Sequence, residues 1–251
     1  MAKLKNFIDR DGYIGQGPLG KPPFDRMDSA HRTSMYAIIT MDITRAKKVV
    51  DGCFNFETSS WRRHPTGEFK DDSCSFYRPH TADTASSWTS ESRDLAVHCL
   101  AMCAYFGLLS PIINKWWDLK KRSWFRYRNL LRLDGTPTAT RDLMSPEDLI
   151  IYSTIFSPFW AFLARNFAGF YMILGSIVAV IQSYFKKKDV DENTMIMRHW
   201  VGMDNPLVKI SWFIRSFRYK GLAWATRQYY REEAGGSPEF GELVIKRFRL
   251  R

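Results

Sequence analysis

Asp28-Ser29-Ala30-His31-Arg32 puts a carboxylate, an imidazole and a guanidinium within one turn's reach of each other. On a helix Asp28 shares a face with His31 and Arg32, three and four positions on. A carboxylate beside an imidazole orients it and keeps it basic, which suits proton transfer. The plainer account is that Asp28 or Ser29 caps the helix and Arg32 pairs with the acid. A second set, Ser90-Glu91-Ser92-Arg93-Asp94, also opens a helix. If both helices begin at the same end of the fold, Asp28, His31, Arg32, Arg93 and Asp94 converge. Two carboxylates flanking a bond suit glycoside hydrolysis, with arginines holding an anionic group. Asp28 and Asp94 are then the expected acid/base pair, His31 assists, and Arg32 and Arg93 bind substrate. Two unrelated capped helices account for the same residues.

Between these sets lie Trp61-Arg62-Arg63-His64-Pro65 and, after Asp71-Asp72, Tyr77-Arg78-Pro79-His80. Trp61 and Tyr77 have the ring faces to stack on a sugar or a base, and arginines bind phosphate or carboxylate. Trp61, Arg63 and His64 are therefore expected in substrate binding. The alternative is a surface loop whose aromatics dock it to the core. Asp9-Arg10-Asp11-Gly12-Tyr13-Ile14 is similar to the middle of a calcium loop. Phe7 and Pro18 stand where the first and last ligands belong, so a turn is the better reading. His98 and His199 sit among apolar residues and read as structural. There is no GxSxG, Walker A or HExxH, and neither a metal nor a cofactor is expected.

The 251 residues include 37 Lys and Arg against 26 Asp and Glu, a formal charge of +11, with 45% apolar and 15% aromatic residues. That composition excludes a disordered chain, a collagen-like repeat and a disulfide-dense miniprotein. The positive charge is localised. Residues 110–133 carry Lys115, Lys120, Lys121, Arg122, Arg126, Arg128 and Arg132 against Asp118 alone, interleaved with Trp and Tyr. A further run of cations follows Pro206. Basic faces with aromatic neighbours suit nucleic acid, anionic lipid or an acidic polymer. A solvated face whose long stems cover apolar surface looks the same. The first six of these cations are the expected contacts to an anionic partner. Cys53, Cys74, Cys99 and Cys103 form no CxxC pair and read as free, buried thiols in a reducing compartment. The N-terminus, reaching Asp9 and Asp11 before any apolar run, does not read as a secretory signal.

The elements that would position these groups are mostly helical. Residues 1–27, rich in Gly and Pro, read as an extended arm or long ordered loop, and 28–251 as a single helical domain. Apolar spacing predicts a helix from Ala30 to Ile43. Residues 51–89 show no sustained period, with short strands at Cys53–Phe56 and Ser75–Tyr77. Ser92 caps a helix that ends at Gly107. Ser110-Pro111, Ser145-Pro146-Glu147-Asp148 and Ser157-Pro158 start or restart others. More follow at 167–185, 192–202, 206–219, 222–234 and 239–249. The fold class expected is mainly α, a helical bundle or a partial α/α toroid-like array with an irregular 51–89 loop region.

Phe167–Phe185 is 19 residues without a formal charge, between Arg165 and Lys186-Lys187-Lys188. As a helix it is about 28 Å long, enough to cross a hydrocarbon core. Ser176, Gln182, Ser183 and two Tyr favour a buried core helix, which is also apolar all round.

The segments Asp28-Ser29-Ala30-His31-Arg32, Arg63-His64-Pro65 and Ser92-Arg93-Asp94, with Asp204-Asn205 later, resemble pieces of uncharacterised proteins of tailed bacteriophages and related bacterial loci. The resemblance covers about the first hundred residues. It implies a viral or prophage setting, in host cytoplasm or virion, and a helical fold with the polar clusters as its site. Two functions are expected. One is a hydrolase or lyase on an anionic polymer such as a bacterial glycan. The other is a non-enzymatic phage structural or host-takeover protein that holds nucleic acid or membrane through basic aromatic helices.

Overall fold

The computed structural model describes residues 4–9, 11–15, 29–55, 60–65, 93–109, 145–185, 192–217, 223–224, 226–227, 230 and 237–250. The fold is mainly α, as the apolar spacing predicts. Where the sequence suggests one domain beyond residue 28, the chain divides into two compact units. Unit 1 is Met1–Met144 with Ala234–Ser237, and unit 2 is Ser145–Glu233 with Pro238–Arg251.

Unit 1 is built on α1 (Ser29–Thr40), α2 (Ile43–Cys53) and α3 (Arg93–Phe106). The helix predicted to run to Ile43 stops at Thr40. Met41 takes a left-handed conformation, φ 56°, and Asp42 caps α2 by accepting a hydrogen bond from the Arg45 N–H at 2.9 Å. α2 is amphipathic, burying Ala46, Val49 and Cys53 on one stripe. α1 and α3 are enclosed instead: α3 is buried without a break from Leu95 to Cys103, and α1 from Ser29 to Ile39 except at Tyr36. Gly107, φ 65°, ends α3 where a left-handed residue is needed, and the Leu108 N–H closes onto the Cys103 carbonyl at 2.8 Å.

Of the Gly/Pro-rich segment 1–27, the described part is an ordered loop and not an arm standing off the body. Leu4–Phe7 form a 3-10 turn, Ile8 bridges Ile14, and Leu4, Phe7, Tyr13 and Ile14 are buried. After α2 come β1 (Phe54–Asn55) and β2 (Ser60–Trp61), antiparallel with Phe54 opposite Trp61. This matches the first predicted strand. The second, Ser75–Tyr77, lies outside the described residues.

Unit 2 begins where Ser145-Pro146 predicts. The Ser145 hydroxyl accepts from Glu147 N–H and the Asp148 carboxylate from Ser145 N–H, a reciprocal cap. A 3-10 turn leads to α4 (Leu149–Tyr152), then α5 (Pro158–Phe185), α6 (Glu192–Val201), α7 (Pro206–Ser216) and α8 (Pro238–Phe248). The described residues between 222 and 234 are helical. α5 and α7 pack closely. Gly169 lets Leu207 approach, since a Cβ there would lie 2.8 Å from the Leu207 Cβ, and the Ser176 and Ser211 hydroxyls meet at 2.8 Å.

The expectation that 167–185 is a core helix does not hold. The helix begins nine residues earlier, at Pro158, and only 28% of its most apolar window is buried. The reason is the number of neighbours. One face rests on α7 and on the turns around Glu147, and no other described element covers the opposite face.

Candidate acid–base site

The described polar core of unit 1 starts from one turn. The Asp9 Oδ1 accepts from the N–H groups of Asp11 and Tyr13, both at 2.9 Å. Gly12, at φ +79°, takes the left-handed position that closes the turn. Oδ2 is thereby aimed at His64, whose Nε2 lies 3.1 Å away, and both side chains are buried. A carboxylate on one ring nitrogen fixes the tautomer and orientation of the imidazole. The Tyr13 ring tilts over His64 at 5.2 Å, and its hydroxyl donates to the Lys48 carbonyl at 2.9 Å. Burial pushes the Tyr13 phenol upward, and the Cys53 thiol beside it to about 12. Both are protonated at neutral pH, so Cys53 is no thiolate nucleophile.

The ligand-capable atoms of Asp9, Asp11 and His64 lie within 4.8 Å of one another. The donor set is that of a turn. Both Asp9 oxygens already accept hydrogen bonds, and the Lys48 ammonium contacts the Asp11 carbonyl.

The same core continues into the helix starts. The Arg63 carbonyl accepts the Ala30 N–H at 2.8 Å, tying the bend at 62–65 to the first turn of α1. The Thr33 hydroxyl accepts the Ile14 N–H at 2.9 Å. The His31 and His98 rings lie over each other, 3.7 Å between centroids and 37° between planes. Ser34 and Cys99 meet one turn further on, at 3.4 Å. The first turns of α1 therefore lie against α3 at His98 and Cys99. Arg32 and Arg63 are buried around them. Burying a guanidinium costs several kcal/mol even after relaxation. Asp9, His31, His64 and His98 are buried in the same unit.

His31 and Arg32 are both buried in this core. Arg93 and Asp94 are the first two residues of α3, about one turn before His98. Asp28 lies outside the described residues, as do Tyr77, His80, Lys115, Lys120, Lys121, Arg122, Arg126 and Arg128. Trp61 and His64 differ from the expected binding loop. Trp61 is fully buried with its ring on Phe54, 4.8 Å between centroids, so it is a core ring and not a stacking platform. His64 points inward to Asp9, which makes it a residue that positions the bend. Asp9, Tyr13 and His98 were not legible as members of a common site. Asp9-Arg10-Asp11-Gly12 does signal a turn, but its partner is 55 positions away.

Unit 2 holds a different polar set. Arg198 donates from Nε to Asp148 at 2.7 Å and from Nη1 to Glu147 at 2.9 Å. His199 is structural, as predicted: Nδ1 faces the Met195 carbonyl and Nε2 the Ser211 hydroxyl, each at 2.8 Å. Burial, with the Arg215 and Arg198 charges, lowers its pKa to about 3 and keeps it neutral. A cleft of about 520 Å³ opens at the start of α5, beside the Arg165–Asp204 ion pair.

Comparison of the chain with protein-family models, with curated proteins and with solved structures returned no match.

Proposed function

We propose that unit 1 carries the acid–base site of a hydrolase or lyase acting on an anionic polymer, such as a bacterial glycan, in a bacteriophage or prophage setting. The observation that carries this reading is the His31–His98 stack inside a core that also buries Arg32 and Arg63. An imidazole can accept or donate a proton, and two lie side by side here. One ring is then a base while the other is an acid. In a lyase reaction the base removes the proton beside a substrate carboxylate and an arginine neutralises the charge that develops there. The C–O bond breaks as the double bond forms, and the acid protonates the leaving oxygen. In a hydrolase reaction Asp28 and Asp94 are the carboxylate pair and His31 assists. In the sequence Asp28 precedes His31 by three positions and Asp94 precedes His98 by four, each about one helical turn from a stacked ring.

Acidic polysaccharides assayed for new reducing ends and for unsaturated ends test both versions. His31→Ala is expected to lower turnover by about 10²–10⁴-fold. Asp28→Asn and Asp94→Asn should do the same if the products are hydrolytic. Activity untouched in all three variants, or no cleavage of any acidic polymer by the unaltered protein, sinks the reading.

A further inference from the structure

The most unusual surface of the described molecule is on α5. Eleven large apolar side chains between Phe159 and Ile181 are exposed, among them Phe159, Trp160, Phe167, Phe170, Val178 and Ile181. They fall on one side of the helix, while Ala168, Met172, Ser176 and Ala179, at helical spacing, are buried on the other. With aromatic rings of about 150–250 Å² each, the face exposes on the order of 1,000 Å². Patches on soluble monomers reach only a few hundred. In the sequence Lys186-Lys187-Lys188 follow directly after the helix, and α7, packed against α5, exposes Ile210 and Phe213 beside Lys209.

We infer that this face seats unit 2 on an anionic lipid bilayer, with α5 lying in the plane of the membrane interface. This does not depend on the reading of unit 1. Two features select the occupant. An apolar, aromatic face followed in the sequence by a run of lysines combines the two signals that stable surface attachment takes, buried apolar area and attraction to anionic headgroups. The flank opposite the apolar face is polar: Gly175 lies against the Glu147 carboxylate, which is held by Arg198 together with Asp148, and Ser176 meets Ser211. A spanning α5 would carry that ion triad toward mid-bilayer, where charged groups cost most. A helix along the surface keeps it on the aqueous side.

The experiment is flotation of the full chain with vesicles of phosphatidylcholine alone and of equimolar phosphatidylcholine and phosphatidylglycerol. The protein is expected to float with the anionic vesicles, to be released by carbonate washing, and to bind less as salt rises. Lys186→Gln, Lys187→Gln and Lys188→Gln together should weaken binding roughly a hundredfold. Phe170→Glu with Val178→Glu, both at exposed positions, should abolish it while leaving the circular dichroism spectrum unchanged. Resistance to carbonate would overturn the inference in favour of a spanning helix. Equal binding to both vesicle types, or none to either, would overturn it as well. So would a dimer that the double glutamate variant dissolves while vesicle binding persists.

Discussion

α3 in unit 1 and α5 in unit 2 are both apolar helices, and α5 is twice as long, 28 residues against 14. α3 is buried at every position from Leu95 to Cys103, including His98, whereas α5 leaves most of its large side chains outside. Hydrophobicity does not order them, since the more apolar helix is the more exposed. What differs is the number of neighbours. α3 lies against both α1 and α2, and α1 brings polar side chains with it, so unit 1 encloses His31, Arg32 and His98. α5 has a packed face and an exposed face, and Ser176 and the Glu147 carboxylate beside Gly175 lie on the packed side. The proposed chemistry rests on the enclosure in unit 1, and the proposed attachment rests on the exposed face in unit 2.

Substitutions that strike each kind of packing should separate the two units. The largest effect is expected from Arg198→Leu, which leaves the Glu147 and Asp148 carboxylates facing each other without their cation. A loss of about 3–5 kcal/mol in chemical denaturation is expected. A loss below 1 kcal/mol would mean that the triad does not hold the turns of unit 2 against α6.

Acid should come next. His199 has a folded pKa of about 3 against 6.5 for the free side chain, so between these values the unfolded chain binds a proton that the folded one refuses. The stability this group contributes is complete above pH 6.5 and declines as pH falls toward 3. The decline amounts to a few kcal/mol on the order of magnitude. His199→Gln should flatten that slope in denaturation curves taken across the same range; an unchanged slope would place the acid sensitivity elsewhere.

Gly52→Ala probes unit 1, because the new Cβ would lie 2.5 Å from the Tyr13 hydroxyl and 3.1 Å from the Pro65 ring. The proline cannot yield as a flexible chain would, and a cost of about 1–3 kcal/mol is expected. The same change should weaken the seating of His64 on Asp9, visible as a shift in the His64 ring resonances. The smallest effect, within about 0.5 kcal/mol, is expected for Phe170→Glu. A large loss there would show that the face is covered in the folded protein, and the contrast between α3 and α5 would collapse.

Much of the fold was legible because its signals are local. Ser145-Pro146-Glu147-Asp148 is a cap and a start wherever it is placed, and Gly107 ends α3 by the conformation it alone adopts without strain. Asn205-Pro206 starts α7 with the Asn205 side chain accepting from Leu207 N–H at 2.8 Å. The break at Met41 was not legible, since Ala37 to Ala46 keeps apolar residues at nearly continuous spacing. The site was half legible. His31 and Arg32 draw attention by being adjacent, but His98 reads as one more residue on an apolar helix.

The sequence by itself determined where helices start and stop, the excess of positive charge, and the presence of an acid, a histidine and an arginine at the head of α1. These depend on neighbours within about one helical turn, where backbone hydrogen bonding and side-chain spacing act. Only the tertiary structure decided that His98 stacks on His31, that Asp9 holds His64, that Trp61 is a core ring, and that α5 keeps one face open. Each of these depends on which surfaces meet across tens of residues. An apolar stripe states that a face must leave water, and only packing reveals whether another helix is there to receive it.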